Sequence, residues 1–329
     1  MKKIVVLLIC FSMFLMGCSK NKDVLNKLKE NIDNLTSYNI KGELEIINNE
    51  DTYTYDVDVS YKAPDLFRVS LKNLNNNHIQ ILLKNNDGVY VLTPALNKSF
   101  KFQSDWPYNN SQIYLLQTIL KDIENDNGRT IVNNGDGYII SSKVNYSNND
   151  SLVKQNVYVD SGYNIYKVEV MNNDGDILMK INFKDINTKP NFNSDYFELD
   201  SSMNTSLELD EEIPVSKNFG ITYPMYIPSK TYLSTQNKVS TSDGERIILT
   251  FEGDNPFMLV QETSSVSDSL TTIPMYGSPE IVGDTIGALS DNSISWSSNG
   301  VDYYVTSSSL SEKELLSVAN SINVMPVGK

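Results

Sequence analysis

Cysteine, histidine and tryptophan are nearly absent: the 329 residues hold two Cys, one His and two Trp. With His78 the sole imidazole, a catalytic zinc site, which usually draws on two or three histidines, is all but excluded. A Ser-His-Asp triad would have to use His78, and no G-x-S-x-G nucleophile motif accompanies it. Its setting, Asn75-Asn76-Asn77-His78, reads as a solvated surface loop or strand start. Basic residues are also scarce, 27 Lys and Arg against 41 Asp and Glu, for a formal net charge of −14. So acidic a chain is a poor partner for nucleic acid and is repelled by anionic lipid. Beyond the first residues no apolar run is long enough to span a bilayer.

Both cysteines lie in the first eighteen residues. Lys2 and Lys3 precede an apolar run from Ile4 to Met16, broken only by Ser12, which ends Leu15-Met16-Gly17-Cys18. This is a signal peptide over residues 1–17. The small Gly17 and the thiol of Cys18 fit cleavage before Cys18 with lipidation of its sulfur; the alternative is an ordinary signal peptide with a chance cysteine. Cys10 leaves with the leader, so the mature chain has no second thiol for a disulfide or a cysteine metal site. Loss of Lys2 and Lys3 takes the net charge from −14 to −16. The expected location is the outer face of a cytoplasmic membrane, held by lipid rather than by surface charge.

Residues 18–22 form the tether. An amphipathic helix is expected from about Asp23 to Leu35, with Leu25, Leu28, Ile32 and Leu35 on one stripe. From Tyr38 the period changes to two: Ile40, Gly42, Leu44 and Ile46 alternate with polar residues, as do Tyr53, Tyr55, Val57, Val59 and Tyr61. These are half-buried antiparallel strands. Leu66–Leu71, Ile79–Leu83 and Val89–Leu92 continue the meander, with Asn86-Asp87-Gly88 as a hairpin turn. A second helix, Gln112–Glu124, is capped by Asn110 or Ser111. Strands resume at 137–142, 154–160, 166–171 and 177–183, and the unit closes near Leu199. A large antiparallel sheet with two helices over one face buries these one-sided strands. Residues 201–218 are polar and acidic and read as a linker. A second α+β unit fills 219–329, with strands at 221–223, 232–233, 246–252, 258–262, 293–296 and 301–306. Its closing helix, 311–322, opens on a Ser311/Glu314 capping box.

Three stretches carry a resemblance. They are Ala63-Pro64-Asp65-Leu66-Phe67-Arg68-Val69; Asn85-Asn86-Asp87-Gly88-Val89-Tyr90-Val91-Leu92-Thr93-Pro94; and Asn182-Phe183-Lys184-Asp185-Ile186 followed by Asp195-Tyr196-Phe197-Glu198-Leu199. In order and spacing, residues 23–200 resemble the LolA-like superfamily of lipoprotein carriers. Within it they resemble the lipoprotein branch of spore-forming firmicutes, which includes sporulation and GerS-like germination-specific lipoproteins. Gly220-Ile221-Thr222-Tyr223-Pro224, Trp296 and Gly300-Val301-Asp302-Tyr303-Tyr304 resemble a domain often appended there. The resemblance implies an α+β fold: a curved antiparallel half-barrel closed by helices, here followed by the smaller α+β domain. It also implies binding and activation of a cell-wall amidase during cortex formation or germination, at membranes of the developing spore. The alternative it implies is a chaperone holding an acyl lipid or lipoprotein in an apolar groove.

Candidate groove residues, for a protein partner or an acyl lipid, are Tyr55, Tyr61, Phe67, Tyr90, Phe100, Leu116 and Leu120; plain core is the competing reading of each. Asp56 and Asp58 share a strand face, as an acid/base or calcium pair would, but point to the side opposite Tyr55, Val57 and Val59, where solvent is expected. The two Asn-Asn-Asp-Gly stretches, 85–88 and 172–175, lack the final Glu of an EF-hand loop and sit between strands, as turns do. No catalytic residue, metal or cofactor is expected. The chain reads as a tethered, non-catalytic binding protein.

Overall fold

A computed structural model describes residues 22–48, 51–207, 219–241, 244–267 and 269–322. The leader, Cys18 and the tether to residue 21 lie outside these residues, as does 208–218 of the expected linker. The chain forms two sheets, antiparallel but for one edge pairing, with helices, the α+β architecture expected.

The first unit supplies β1 (Ser37–Asn48), β2 (Asp51–Lys62), β3 (Leu66–Asn73), β4 (Ile79–Asn85), β5 (Gly88–Thr93), β6 (Lys98–Phe102), β7 (Thr130–Asn133), β8 (Gly137–Lys143), β9 (Lys154–Asp160), β10 (Ile165–Met171) and β11 (Ile177–Asn187). They lie in the order 6-5-4-3-2-1-11-10-9-8-7, and the sheet is open because its ends do not meet. Register follows the alternation read in the sequence: Ile40 faces Val59, Gly42 faces Val57 and Leu44 faces Tyr55 across β1 and β2. At Gly42 the β11 backbone comes so close that a Cβ would sit 2.8 Å from the Asn182 carbonyl oxygen. Gly88 turns β4 into β5 with φ +147°, which favours glycine.

Helix α1, residues 22–33, buries Val24, Leu28 and Ile32 on the sheet's inner face. Helix α2 (Leu116–Asn125) adds Leu116, Ile119, Leu120 and Ile123 to the same core. It starts four residues later than expected. Ser111 is not its cap: the Ser111 hydroxyl accepts the Asn145 amide at 2.7 Å, and the Ser111 amide donates to the Asn145 carbonyl at 2.9 Å, which ties 107–115 down as loop. The linker expectation also needs correcting at its start. Leu199–Leu207 is a helix, α3, over the outer face of the sheet, where Met203 and Phe197 bury against Ile79, Ile81, Leu83, Tyr90 and Leu92. Polar Asp200, Ser201 and Asn204 hid it; packing, not intrinsic propensity, holds it.

The second unit builds a seven-stranded sheet from β12 (Thr231–Ser240), β13 (Glu245–Gly253), β14 (Phe257–Thr263), β16 (Ser278–Val282), β17 (Thr285–Ser290), β18 (Ser293–Ser298) and β19 (Val301–Thr306), in the order 12-13-14-19-18-17-16. Helix α4 (Glu312–Asn320) opens on the expected capping box and buries Leu315, Leu316, Val318 and Ala319. Residues 221–223 are not a strand; Gln261 instead holds Thr222, accepting its amide at 2.9 Å and donating to its carbonyl at 2.6 Å.

The two units interlock. Strand β15 (Thr271–Met275), from the second unit, pairs in parallel with β6 and becomes the twelfth strand of the first sheet. Ile286 and Ala288 bury into the first unit's inner core.

Candidate functional site

The inner face of the large sheet is where a groove is expected, and its lining divides in two. Over β1, β8 and their neighbours the cover is helical. Tyr38, fully buried, donates its hydroxyl to Gln117 of α2 at 2.8 Å. Tyr61 sits between Tyr38 and Phe67 with its ring tilted against both, centroids 5.2 and 5.0 Å apart, and Trp106 meets Phe67 edge-on at 6.1 Å. Tyr55, Tyr61, Phe67, Leu116 and Leu120 are all buried in this one cluster. Tyr90 is a correction: it lies in the separate cluster under α3, on the outer face. Val89 and Val91 take the inner side of β5, and strand alternation sends Tyr90 the other way. Phe100 is partly buried on the inner face.

Over β4, β5 and β6 the cover is the second unit, and the contact is a polar seam around apolar patches. Gln80 is its centre, buried at the inward position between Ile79 and Ile81. Its Oε1 accepts from the Ile286 amide at 2.7 Å and from the Thr285 hydroxyl at 2.9 Å; its Nε2 donates to the Ile286 carbonyl at 3.3 Å. Lys98 pairs with Asp302 at 3.5 Å and Lys313 with Asp150 at 2.6 Å. The Ser99 and Thr272 hydroxyls meet at 2.7 Å across β6 and β15.

Cavities remain along this seam, two of them with substantial apolar walls. One, about 250 Å³, is bordered by Phe100, Phe102, Met275, Ala288 and Trp296. The other, about 390 Å³, lies between Leu82, Trp106, Met179, Ile281 and Ile286, with Glu280, Asn110 and Asn148 in its wall. Burial pushes the Glu280 carboxyl up, against the lowering effect of amide hydrogen bonds from Asn148 and Asn110.

The remaining candidates fall as follows. His78 is not solvated: it is partly buried beside Asp284 and Tyr55, its Nδ1 is enclosed without a partner, and burial lowers its pKa to about 4. Asp56 is exposed and Asp58 half-buried on the face opposite Tyr55, where Asp58 accepts from Asn39 at 2.6 Å. In the first Asn-Asn-Asp-Gly turn the Asn85 side chain accepts the Asp87 amide at 2.9 Å; in the second, Asn172 accepts that of Asp174 at 3.0 Å. Among the described residues no group of three or more His, Cys, Asp or Glu could hold a metal ion, and no helix is long and apolar enough to cross a membrane.

Gln80 and Glu280 escape a reading by sequence. Gln80 leaves one trace, a lone amide inside Ile79-Gln80-Ile81-Leu82-Leu83; Glu280 leaves none. On the far side of the second sheet, β12 is an edge strand with residues 232–240 exposed throughout. Tyr232, Leu233 and Val239 there, with Met225 and Tyr226 just before it, put apolar surface in contact with water.

Comparison with known proteins places residues 1–197 in the family described as "Sporulation protein YdcC-like". The sporulation protein YdcC of Bacillus subtilis (strain 168) is 34% identical over 308 residues, covering 93% of this chain and 91% of that one. Among solved structures, the Pseudomonas aeruginosa MucA/MucB complex aligns over 92% of this chain and 97% of the matched one, with 14% identity and a TM-score of 0.34. LolA superfamily protein NE2245 from Nitrosomonas europaea aligns over 54% and 97%, with 12% identity and a TM-score of 0.32. The structure of the CwlD amidase from Clostridioides difficile with the GerS lipoprotein aligns over 50% and 93%, with 17% identity and a TM-score of 0.23.

Proposed function

The chain belongs to the YdcC-like sporulation protein family, and on that premise we propose that it is a lipid-anchored, non-catalytic binding protein of spore envelope assembly. Cys18 carries the anchor, on the outer face of a cytoplasmic membrane. The body holds a protein partner, and a cell-wall amidase is the class to which the motif resemblance points. The observation that carries this reading is the closure of the inner face. Helices α1 and α2 fill one half of it and Ile286 and Ala288 of the second unit enter the other, which leaves the outer surface for recognition. The exposed apolar side chains at β12 are where a partner is to be sought.

Deletion of the gene tests it. Cortex muramic lactam should fall while vegetative growth stays normal, and a version with Cys18→Ala should restore little. Normal spores with normal cortex would remove the amidase reading. The two seam cavities favour one second reading, a carrier of an acyl group. It requires co-purifying lipid in a native mass spectrum; bare polypeptide carrying only its own anchor would count against it.

A further inference from the structure

We propose that the 390 Å³ seam cavity is a binding site for a small amphipathic amine, with the ammonium group on Glu280 and the apolar body among Leu82, Trp106, Leu178, Met179 and Ile286. The inference goes beyond the partner reading and does not depend on it.

Three observations carry it. First, the carboxylate is uncompensated. Among the residues lining the cavity Glu280 carries the sole charge, with no Lys or Arg. The open polar cleft of about 550 Å³ on the other side of Glu280 adds Asp291 and Glu312, again without a cation. Second, Glu280 is held for a ligand on one side. Asn110 and Asn148 both donate to Oε1, at 2.8 and 3.0 Å, and among the described residues no hydrogen bond reaches Oε2. Two neutral amides fix the carboxylate without neutralising it, so a cation arriving at Oε2 completes the site. Third, one side of the wall is apolar and aromatic, with Trp106 and Tyr114 beside Leu82, Leu178, Met179 and Ile286, while Ser111, Gln112, Asn149 and Asn172 make the rest polar; such a divided wall suits an amphipathic ligand, its hydrocarbon body on the apolar side and its cation near a ring face. A purely structural Glu280 would do no more than tie two asparagine-bearing loops together, and glutamine would serve as well.

The test is isothermal titration calorimetry on the full chain with cyclohexylmethylamine, cyclohexylmethanol and cyclohexanecarboxylate. The amine should bind one site at least tenfold more tightly than the alcohol, with the carboxylate weaker still. In Glu280→Gln, whose amide oxygen can still accept from Asn110 and Asn148, the preference for amine over alcohol should vanish while the thermal midpoint stays equal or rises. Leu178→Trp, which leaves Glu280 in place and narrows the cavity, should weaken amine and alcohol alike. Equal binding of amine and alcohol by the unaltered chain, unchanged amine binding in Glu280→Gln, or amine binding indifferent to Leu178→Trp would each overturn the proposal.

Discussion

The two halves of the large sheet's inner face are covered by different kinds of surface. Over β1 and β8 the cover is local: α1 and α2 lie near their strands in sequence and meet them through dry apolar contact, with Leu28, Ile119 and Ile123 wholly buried. Over β4, β5 and β6 the cover arrives from some two hundred residues away. It meets the buried Gln80 of β4, makes ion pairs, and leaves cavities at the contact. Dry packing is where stability is concentrated. A polar seam with room in it tolerates adjustment and can take a ligand. One sheet thus carries a tightly packed half and a half whose cover leaves room.

The widest separation of the halves should come from truncating each cover. Leu28→Ala, in the helical half, is expected to cost about 3 kcal/mol, a lost side chain plus an unfilled cavity, read by denaturant unfolding as a lower midpoint of the whole transition. Gln80→Leu in the seam should cost less, about 2 kcal/mol, because the Ile286 amide and Thr285 hydroxyl are left without their acceptor. Its sharper signature is a split: the second unit should unfold before the first. A single coincident transition in both variants would erase the distinction between the halves.

The pH dependence of the two halves should differ in sign. In the seam, burial lowers the His78 pKa from 6.5 to about 4. The folded chain keeps the ring neutral, so stability is unaffected above pH 6.5 and is lost as pH falls from 6.5 through 4. The loss is about 2 kcal/mol for a partly buried ring, and His78→Gln should abolish it. On α2, burial raises Asp122 from 3.8 to about 6. The folded chain resists its ionisation, so stability is lost as pH rises from 3.8 through 6. Asp122→Asn should therefore stabilise by about 2 kcal/mol at pH 7 and leave stability at pH 3 unchanged. The smallest effect is expected at the rim, where Lys313→Ala breaks an exposed pair with Asp150 for under about 1 kcal/mol; more than that would mean the seam depends on its charged edge.

The helical half was legible in the sequence and the seam was not, for physical reasons. Hairpins and the α1 stripe are local patterns, set by the side-chain period and by turn residues. Strand β15 has no such pattern. Thr271-Thr272-Ile273-Pro274-Met275 is polar, proline-bearing and paired with residues 98–102, and a parallel partner that distant leaves no local trace. Proline there fits an edge position. Tyr90 was misplaced for another reason. Val89-Tyr90-Val91-Leu92 is apolar on both sides, the mark of a strand buried on both faces, and a reading that expects one wet face sends Tyr90, its largest side chain, to the groove. Of the candidate site, the aromatic residues could be placed in the core by alternation, but Glu280 and Gln80 acquire their meaning only where the two units meet.

On the proposed function, the protein works with its inner face closed by its own second unit. A cross-link between β6 and β15 tests this most directly. The Ser99 and Thr272 hydroxyls are 2.7 Å apart, close enough for a Ser99→Cys/Thr272→Cys disulfide, and the sequence holds no cysteine besides Cys10 and Cys18. The measurement is the yield of heat-resistant spores from cells whose sole copy is the locked variant, with each single cysteine variant as control. Normal yield is expected with the lock formed. Loss of spores in the locked variant alone would contradict it, and would mean that the second unit must swing away for the groove beneath to act.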